Sequence, residues 1–300
     1  MKDLNLKLNI GLMVNETYTR DITLLKSNAI SEEVYTRKFP EKPYTWIGNV
    51  IAISTAHIGS VSIGSTVRDE YLKTKSINIP KVVMDLPIAD ANSLLLEIHR
   101  RCWENLLPQQ EILCKYCAKK VFGDIDLDKI ELSEKSKELL GTGIEYVALE
   151  CTLKGGIVLD EFINKLNSSS QAGAKREDME QFLGVTFNRV IFRIPTLRDA
   201  IKNETYVTKE IDFWRRVALD CIISIDRVEE GNVVSSFPMD KLIWLGLNLF
   251  NYMEGTDLKK IRHTMREELP TMPFAYTEEC PCDMKREIPY VMEASSFFSA

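Results

Sequence analysis

Alternating apolar and polar residues mark the start of this chain. In "LNLKLNIGL" the residues Leu4, Leu6, Leu8 and Ile10 recur at every second position, which places them on one face of an extended segment. We predict that residues 1–40 form an extended N-terminal arm. Two interpretations of the arm stay open, because such a strand can add to the sheet edge of a partner or pair within its own domain.

The next segment, "WIGNVIAISTAHIGSVSIGSTV", is rich in β-branched residues and interrupted by glycines. This pattern is typical of strands separated by turns or bulges, and a helix over residues 49–57 is the alternative. Further along, Asp90 is suited to cap the helix that follows it, whose apolar stripe runs from Leu94 to Cys102.

The second half of the chain alternates between strand and helix signals. "VALECTLKGGIVL" predicts a hairpin that turns at Gly155–Gly156, and "VTFNRVIFRIP" predicts a further strand. "KEIDFWRRVALDCIISI" predicts an amphipathic helix whose buried stripe runs from Ile211 to Ile225, and a second apolar helix follows it. We therefore predict an α+β fold with the arm, a first α+β half at residues 41–167 and a second at residues 168–300.

Composition narrows the classes of function. A chain of 300 residues with 45% hydrophobic and 27% charged residues is ordinary for a globular protein. The formal net charge of -6 disfavours a nucleic-acid binder that relies on phosphate contacts. No apolar run approaches the roughly 20 residues of a membrane-spanning helix, and the N-terminus lacks the apolar core of a signal peptide. We therefore expect no membrane partner and a cytoplasmic location.

The seven cysteines fall into two groups. Three stand alone inside apolar segments, where we expect each thiol to pack as a small hydrophobic group; these are Cys102, Cys151 and Cys221. The other four form two pairs beside turn-forming residues; these are Cys114 with Cys117, and Cys280 with Cys282.

A structural zinc ion takes four ligands in a tetrahedron, and two cysteine pairs supply four thiolates. We therefore predict that Cys114, Cys117, Cys280 and Cys282 bind one structural zinc, which would fasten the C-terminal tail to the middle of the chain. The first pair has the standard spacing, whereas the second pair is one residue short. Two other interpretations stay open. The pairs could be remnants of a lost site or partly buried thiols, or the second pair could carry out redox chemistry.

The surroundings of the two pairs indicate a weak internal duplication. "DLPIADANSLLLEIHRR" before the first pair and "SFPMDKLIWLGLNLFNY" before the second both run from proline through aspartate into a leucine-rich helix. A basic run and an apolar extended segment follow each pair. We interpret the chain as two helix-plus-hairpin halves, each with a cysteine knuckle, which a zinc-ribbon-like site could join.

No catalytic motif emerges from the sequence. His57, His99 and His263 are scattered, and we expect a turn or core position for His57 and surface positions for the other two. The chain has no P-loop, no G-x-G-x-x-G opening a helix, no H-E-x-x-H and no G-x-S-x-G. A zinc ion closed by four thiolates would also leave no open coordination position. We predict that the protein is not an enzyme.

The order of these motifs resembles a known family. A leucine-rich helix, a cysteine pair and "DIDLDKI" are followed by the "FRIPT" element at Phe192–Thr196 and by a tail with "CPC", "IP" and "FF". This arrangement is similar to the T-even-type phage baseplate protein family, the tail-hub assembly proteins of contractile phages. The resemblance covers most of residues 75–300. The chain departs from the family at the second pair and at Ala118 and Asp283, which stand where the family has glycine.

The resemblance implies a structural or assembly role in the baseplate of a contractile phage tail or a phage-tail-like injection system. The partners would be tail tube, hub or baseplate proteins, with zinc as a structural ion. The chain would be found in the host cytoplasm or in the tail particle, as a chaperone or as an oligomer within the larger assembly. The alternative interpretation is a zinc-ribbon accessory protein that associates with nucleic acid.

Overall fold

A computed structural model describes most of the chain, namely residues 3–37, 42–102, 106–113, 117, 120–132, 149–166, 176–205, 210–238, 245–264, 274–279 and 287–290. These residues mix helices with antiparallel strands, which confirms an α+β fold. In the part of the chain that is described, no helix is long and apolar enough to cross a membrane.

The first half of the chain builds a four-stranded antiparallel sheet, in the order β1 (Leu4–Val14), β2 (Thr17–Leu24), β3 (Thr55–Ile58) and β4 (Val61–Ser62). Helices α1 (Ala29–Thr36) and α2 (Pro43–Ser54) connect β2 to β3. After the sheet come α3 (Gly64–Thr74), α4 (Lys81–Met84) and α5 (Ile88–Cys102), then the hairpin of β5 (Leu106–Leu113) and β6 (Lys120–Asp126), a 3-10 turn (Leu127–Lys129) and β7 (Glu131–Leu132).

The second half builds another four-stranded antiparallel sheet from β8 (Leu149–Val158), β9 (Thr186–Phe192), β10 (Ile222–Glu229) and β11 (Asn232–Pro238). Between and after these strands lie α6 (Asp160–Lys165), α7 (Arg176–Met179), α8 (Leu197–Glu204), α9 (Glu210–Cys221) and α10 (Gly255–His263), with 3-10 helices at Glu180–Phe182 and Gly246–Tyr252. The last described elements are the paired strands β12 (Phe274–Glu279) and β13 (Glu287–Tyr290).

The first two strands of each sheet pair with the same register. The first sheet pairs Leu4↔Leu24, Leu6↔Ile22 and Lys7↔Asp21, and the second pairs Leu149↔Phe192, Cys151↔Val190 and Thr152↔Arg189. In both, the register then shifts at a bulge in the first strand, and pairing resumes at Leu12↔Thr19 in one sheet and at Ile157↔Phe187 in the other. A common register that includes the bulges indicates that the chain is an internal duplication. We call residues 4–132 the first repeat and residues 149–290 the second repeat.

The helices repeat as well. α1 and α8 each have 8 residues, and α2 and α9 each have 12. Both longer helices run directly into the third strand of their sheet. Both repeats therefore contain, in the same order, a strand pair, two helices, a hairpin, a later helix and a strand pair. Each also has elements of its own, which are α3 and α4 in the first repeat and, between β8 and β9, α6, α7 and a 3-10 helix in the second. The sequence predicts a duplication that aligns residues 85–101 with residues 236–252. That alignment is wrong, because the later helix that contacts the first strand is α5 in the first repeat and α10 in the second.

Caps in the sequence set where the paired helices begin. The side chain of Asn28 accepts a hydrogen bond from the Ser31 N–H at 3.0 Å and caps α1. α8 begins with a capping box in which Thr196 and Asp199 bond reciprocally. Pro43 occupies the first turn of α2, where its missing N–H costs nothing.

The two compact units of the fold do not coincide with the two repeats. The first unit comprises Met1–Glu145, Thr196–Thr205 and Pro270–Ala300, and the second comprises Tyr146–Pro195 and Tyr206–Leu269. Thus α8 and the β12–β13 pair belong by chain order to the second repeat but pack in the first unit. Each unit has its own buried hydrophobic core. The expected division into an arm and two consecutive halves does not describe these discontinuous units, because nothing local in the sequence marks the two exchanged segments.

Two local predictions are confirmed at the N-terminus, and a third is confirmed in part. β1 buries Leu8 and Ile10 on one face, as the alternation predicts. The strand pairs with β2, as in the interpretation of an arm paired within its own domain. Residues 43–54 form the helix α2, as in the helical alternative, because burial on all sides overrides the β-propensity of their branched side chains. The strands and turn of the first interpretation are found at Thr55–Ile58 and Val61–Ser62.

Two further boundaries differ from the sequence prediction in the second repeat. Gly155 and Gly156 lie inside the continuous strand β8, where they form its bulge rather than a hairpin turn. The predicted helix ends at Cys221, and Ile225 lies in β10. In both places an apolar run carries no signal for the change of backbone conformation.

Candidate functional site

Along the chain, the predicted zinc ligands lie next to strands that pair with each other. Cys117 is a half-buried turn residue between β5 and β6, whereas Cys114, Cys280 and Cys282 lie outside the described residues. The last pairs of the two hairpins are Leu113↔Lys120 and Glu279↔Glu287. In chain order, each cysteine pair therefore falls between two strands that are hydrogen-bonded to each other.

The two hairpins belong to the same compact unit. β12 pairs with β7 through Phe274↔Leu132 and Ala275↔Glu131, and β13 lies against β5. Four cysteine thiolates are a donor set that tetrahedral zinc prefers, and the zinc site itself stays a prediction. Within the described residues themselves, no group of three or more His, Cys, Asp or Glu side chains is arranged to hold a metal.

The single cysteines occupy apolar surroundings. Cys151 and Cys221 are buried in the core of the second unit, and Cys102 is partly buried against the core of the first. These positions confirm the prediction that the three thiols pack as small hydrophobic groups.

A buried carboxylate holds the bulge of β1. Asp90, in the first turn of α5, accepts hydrogen bonds from the backbone N–H groups of Asn9, Ile10 and Gly11 at 2.7, 3.0 and 2.8 Å. Burial raises the pKa of Asp90 above its ordinary value, and the three N–H bonds offset only part of this rise. The sequence prediction that Asp90 caps its own helix is wrong, since its carboxylate bonds to a strand about 80 residues earlier.

The carbonyl groups of the same bulge are also bonded to side chains. The Nε of Arg20 donates to the Leu8 carbonyl at 2.6 Å, and the hydroxyl of Tyr18 donates to the Ile10 carbonyl. Backbone groups that the bulge removes from the strand ladder thus find partners on β2 and α5. The result is a first strand whose irregular part is fixed by three side chains.

The second repeat contains the same device. Asp257, in the first turn of α10, accepts from the backbone N–H groups of Lys154, Gly155 and Gly156 at 2.8, 2.9 and 3.1 Å. The Nζ of Lys260 donates to the Thr152 carbonyl at 2.5 Å. Sequence reasoning missed Asp257, because an aspartate in a polar helix is unremarkable. Only a comparison of the two helices marks it: Asp257 is the third residue of α10, as Asp90 is the third residue of α5.

A third buried carboxylate connects α8 to α2. Glu204 accepts from the backbone N–H groups of Tyr44 and Thr45 at 2.7 and 3.0 Å and from the Thr45 hydroxyl. It therefore serves as the N-terminal cap of α2, whose own N-cap residue, Lys42, makes no side-chain cap. Burial raises the pKa of Glu204 above its ordinary value.

The histidines do not converge. His99 is buried in α5 with 6% of its surface exposed, so the surface position predicted for it is wrong. His57 is exposed on β3 rather than in a turn or core, and His263 is exposed as predicted. Among the carboxylates after the first cysteine pair, Asp124 and Asp128 are exposed, and the side chain of Asp126 accepts from the Asp128 N–H at 3.0 Å.

These arrangements share one chemical property. The carboxylates of Asp90, Asp257 and Glu204 are each bonded to backbone N–H groups and hold strands and helices in place. Comparison with protein-family models, with curated proteins and with solved structures gave no significant match.

Proposed function

We propose that this protein is a non-enzymatic structural or assembly component of the baseplate of a contractile phage tail or a phage-tail-like injection system. It would act through contacts with tail tube, hub or baseplate proteins, in the host cytoplasm or in the particle. The family resemblance of the cysteine hairpins and the "FRIPT" element motivates the proposal. The use of buried carboxylates to fix backbone supports a structural role.

The observation that carries the proposal is the arrangement of the two cysteine hairpins. In chain order, one cysteine pair falls between β5 and β6 and the other between β12 and β13, and both strand pairs belong to one compact unit. A zinc ion bound by Cys114, Cys117, Cys280 and Cys282 would close this ribbon and hold the last strands on β7. Zinc bound in this way contributes directly to folding stability, as it does in other small thiolate modules.

The metal is tested by elemental analysis of the purified full chain. We expect about one zinc per chain for four thiolate ligands. Cys114→Ser should lose that zinc and expose residues 274–290 to faster hydrogen exchange, whereas Cys102→Ser is the matched control and should retain the metal. If the purified wild type contains no zinc, and a chelator leaves its thermal stability unchanged, the zinc site is ruled out.

The assembly role is tested separately in cells that produce the tail particles. An epitope-tagged chain should sediment with tail or baseplate intermediates, and loss of the chain should stop their maturation. Recovery of the chain only as isolated protein, with normal particles formed in its absence, would reject the role. Salt-sensitive retardation of DNA or RNA in a mobility assay would instead favour the zinc-ribbon accessory protein.

A further inference from the structure

We draw no further inference here: the strongest candidate, the exposed apolar patch of Val233 and Val234 on the edge strand β11, lies on a strand that a bulge interrupts and Pro238 ends, and nothing in the described part of the chain shows what covers it.

Discussion

The two repeats build the same sheet and make opposite use of the helix after its second strand. In the first repeat α1 packs into its own unit through Val34 and Tyr35. In the second repeat α8, of equal length, joins the first unit, where Leu197 is buried in the core and Glu204 caps α2. Two helices of equal length, each capped at its N-terminus, thus pack in different units. The comparison shows that local sequence specifies the helix, while the apolar side chains on its buried face decide where it packs.

The repeats also differ in what they leave exposed. β4 has two residues, whereas β11 has seven and exposes Val233 and Val234. The shared features are those that the bulge requires. They are a glycine with positive φ in the strand and an aspartate in the first turn of a later helix. The features that hold the bulge thus occur in both repeats, whereas the longer hairpin with exposed valines occurs in one.

The largest expected effect comes from removing the bulge carboxylates. Asp90→Ala should lower the free energy of unfolding by about 3 to 5 kcal/mol, because it leaves three N–H groups without acceptors. Asp257→Ala should lower it by a similar or smaller amount, since two of its three donors are only partly buried. Urea unfolding of both variants measures this. Losses under about 1 kcal/mol in either repeat would contradict the common role of the two aspartates.

The glycines of the two bulges should come next. Gly11 and Gly156 have φ of 90° and 76°, and a Cβ would lie 2.6 Å from the Thr19 carbonyl oxygen in one case and 2.9 Å from that of Phe187 in the other. We expect alanine at either position to cost about 2 to 4 kcal/mol, from strain and overlap together.

Gly231→Ala is the matched control for the bulge glycines. Its φ is 84°, but nothing lies within 4 Å of an added Cβ. This change should cost only about 1 kcal/mol, the conformational part of the penalty. Equal losses at Gly11, Gly156 and Gly231 in thermal unfolding would show that close packing at the bulge contributes nothing.

A smaller effect should follow from Glu204→Ala. Loss of this cap should destabilise the first unit by about 1 to 2 kcal/mol, because two N–H groups of α2 lose their acceptor. Hydrogen exchange over residues 43–54 should increase, while exchange in β8 and β9 should not. Asn28→Ala, which removes the cap of α1, is the matched control and should affect residues 29–36 instead. Faster exchange in the second unit alone would contradict the assignment of α8 to the first.

The smallest effect should be a pH dependence. The pKa of Glu204 is raised by burial from an ordinary value of 4.5, so the folded chain keeps this proton to higher pH than the unfolded chain does. Its contribution to stability is therefore fully present below the unfolded pKa and is lost as pH rises through the folded pKa. Relative to Glu204→Gln, the wild type should lose urea-unfolding free energy as pH rises above about 4.5. A relative gain with rising pH would contradict this sign.

The sequence predicts some elements well because their signals are local. The alternation in β1, the strand at β9 and the start of the amphipathic helix α9 follow from periodicity within a few residues. The sequence leaves strand and helix open at α2, because Val50, Ile51 and Ile53 are fully buried and their branched side chains would suit a strand equally well. Packing on every side of a segment removes the polar positions that would reveal its period.

The candidate site divides in the same way. The four cysteines are visible in the sequence because metal ligands require particular residue types, and the zinc that they would bind stays a prediction. The sequence points to Asp90 but to the wrong partner, and nothing local in it marks Asp257 or Glu204. Their hydrogen-bond partners lie about 80, 100 and 160 residues away in the chain, so no local pattern connects them.

The sequence by itself determined the class of fold, the strand and helix periods, and the four thiols that define the predicted zinc site. Only the tertiary structure revealed the register shared by the two repeats, the carboxylates that hold their bulges and the placement of α8 in the first unit. The physical reason is range. Periodicity and caps act over a few neighbouring residues, whereas strand pairing and buried hydrogen bonds join residues that become neighbours only when the chain folds.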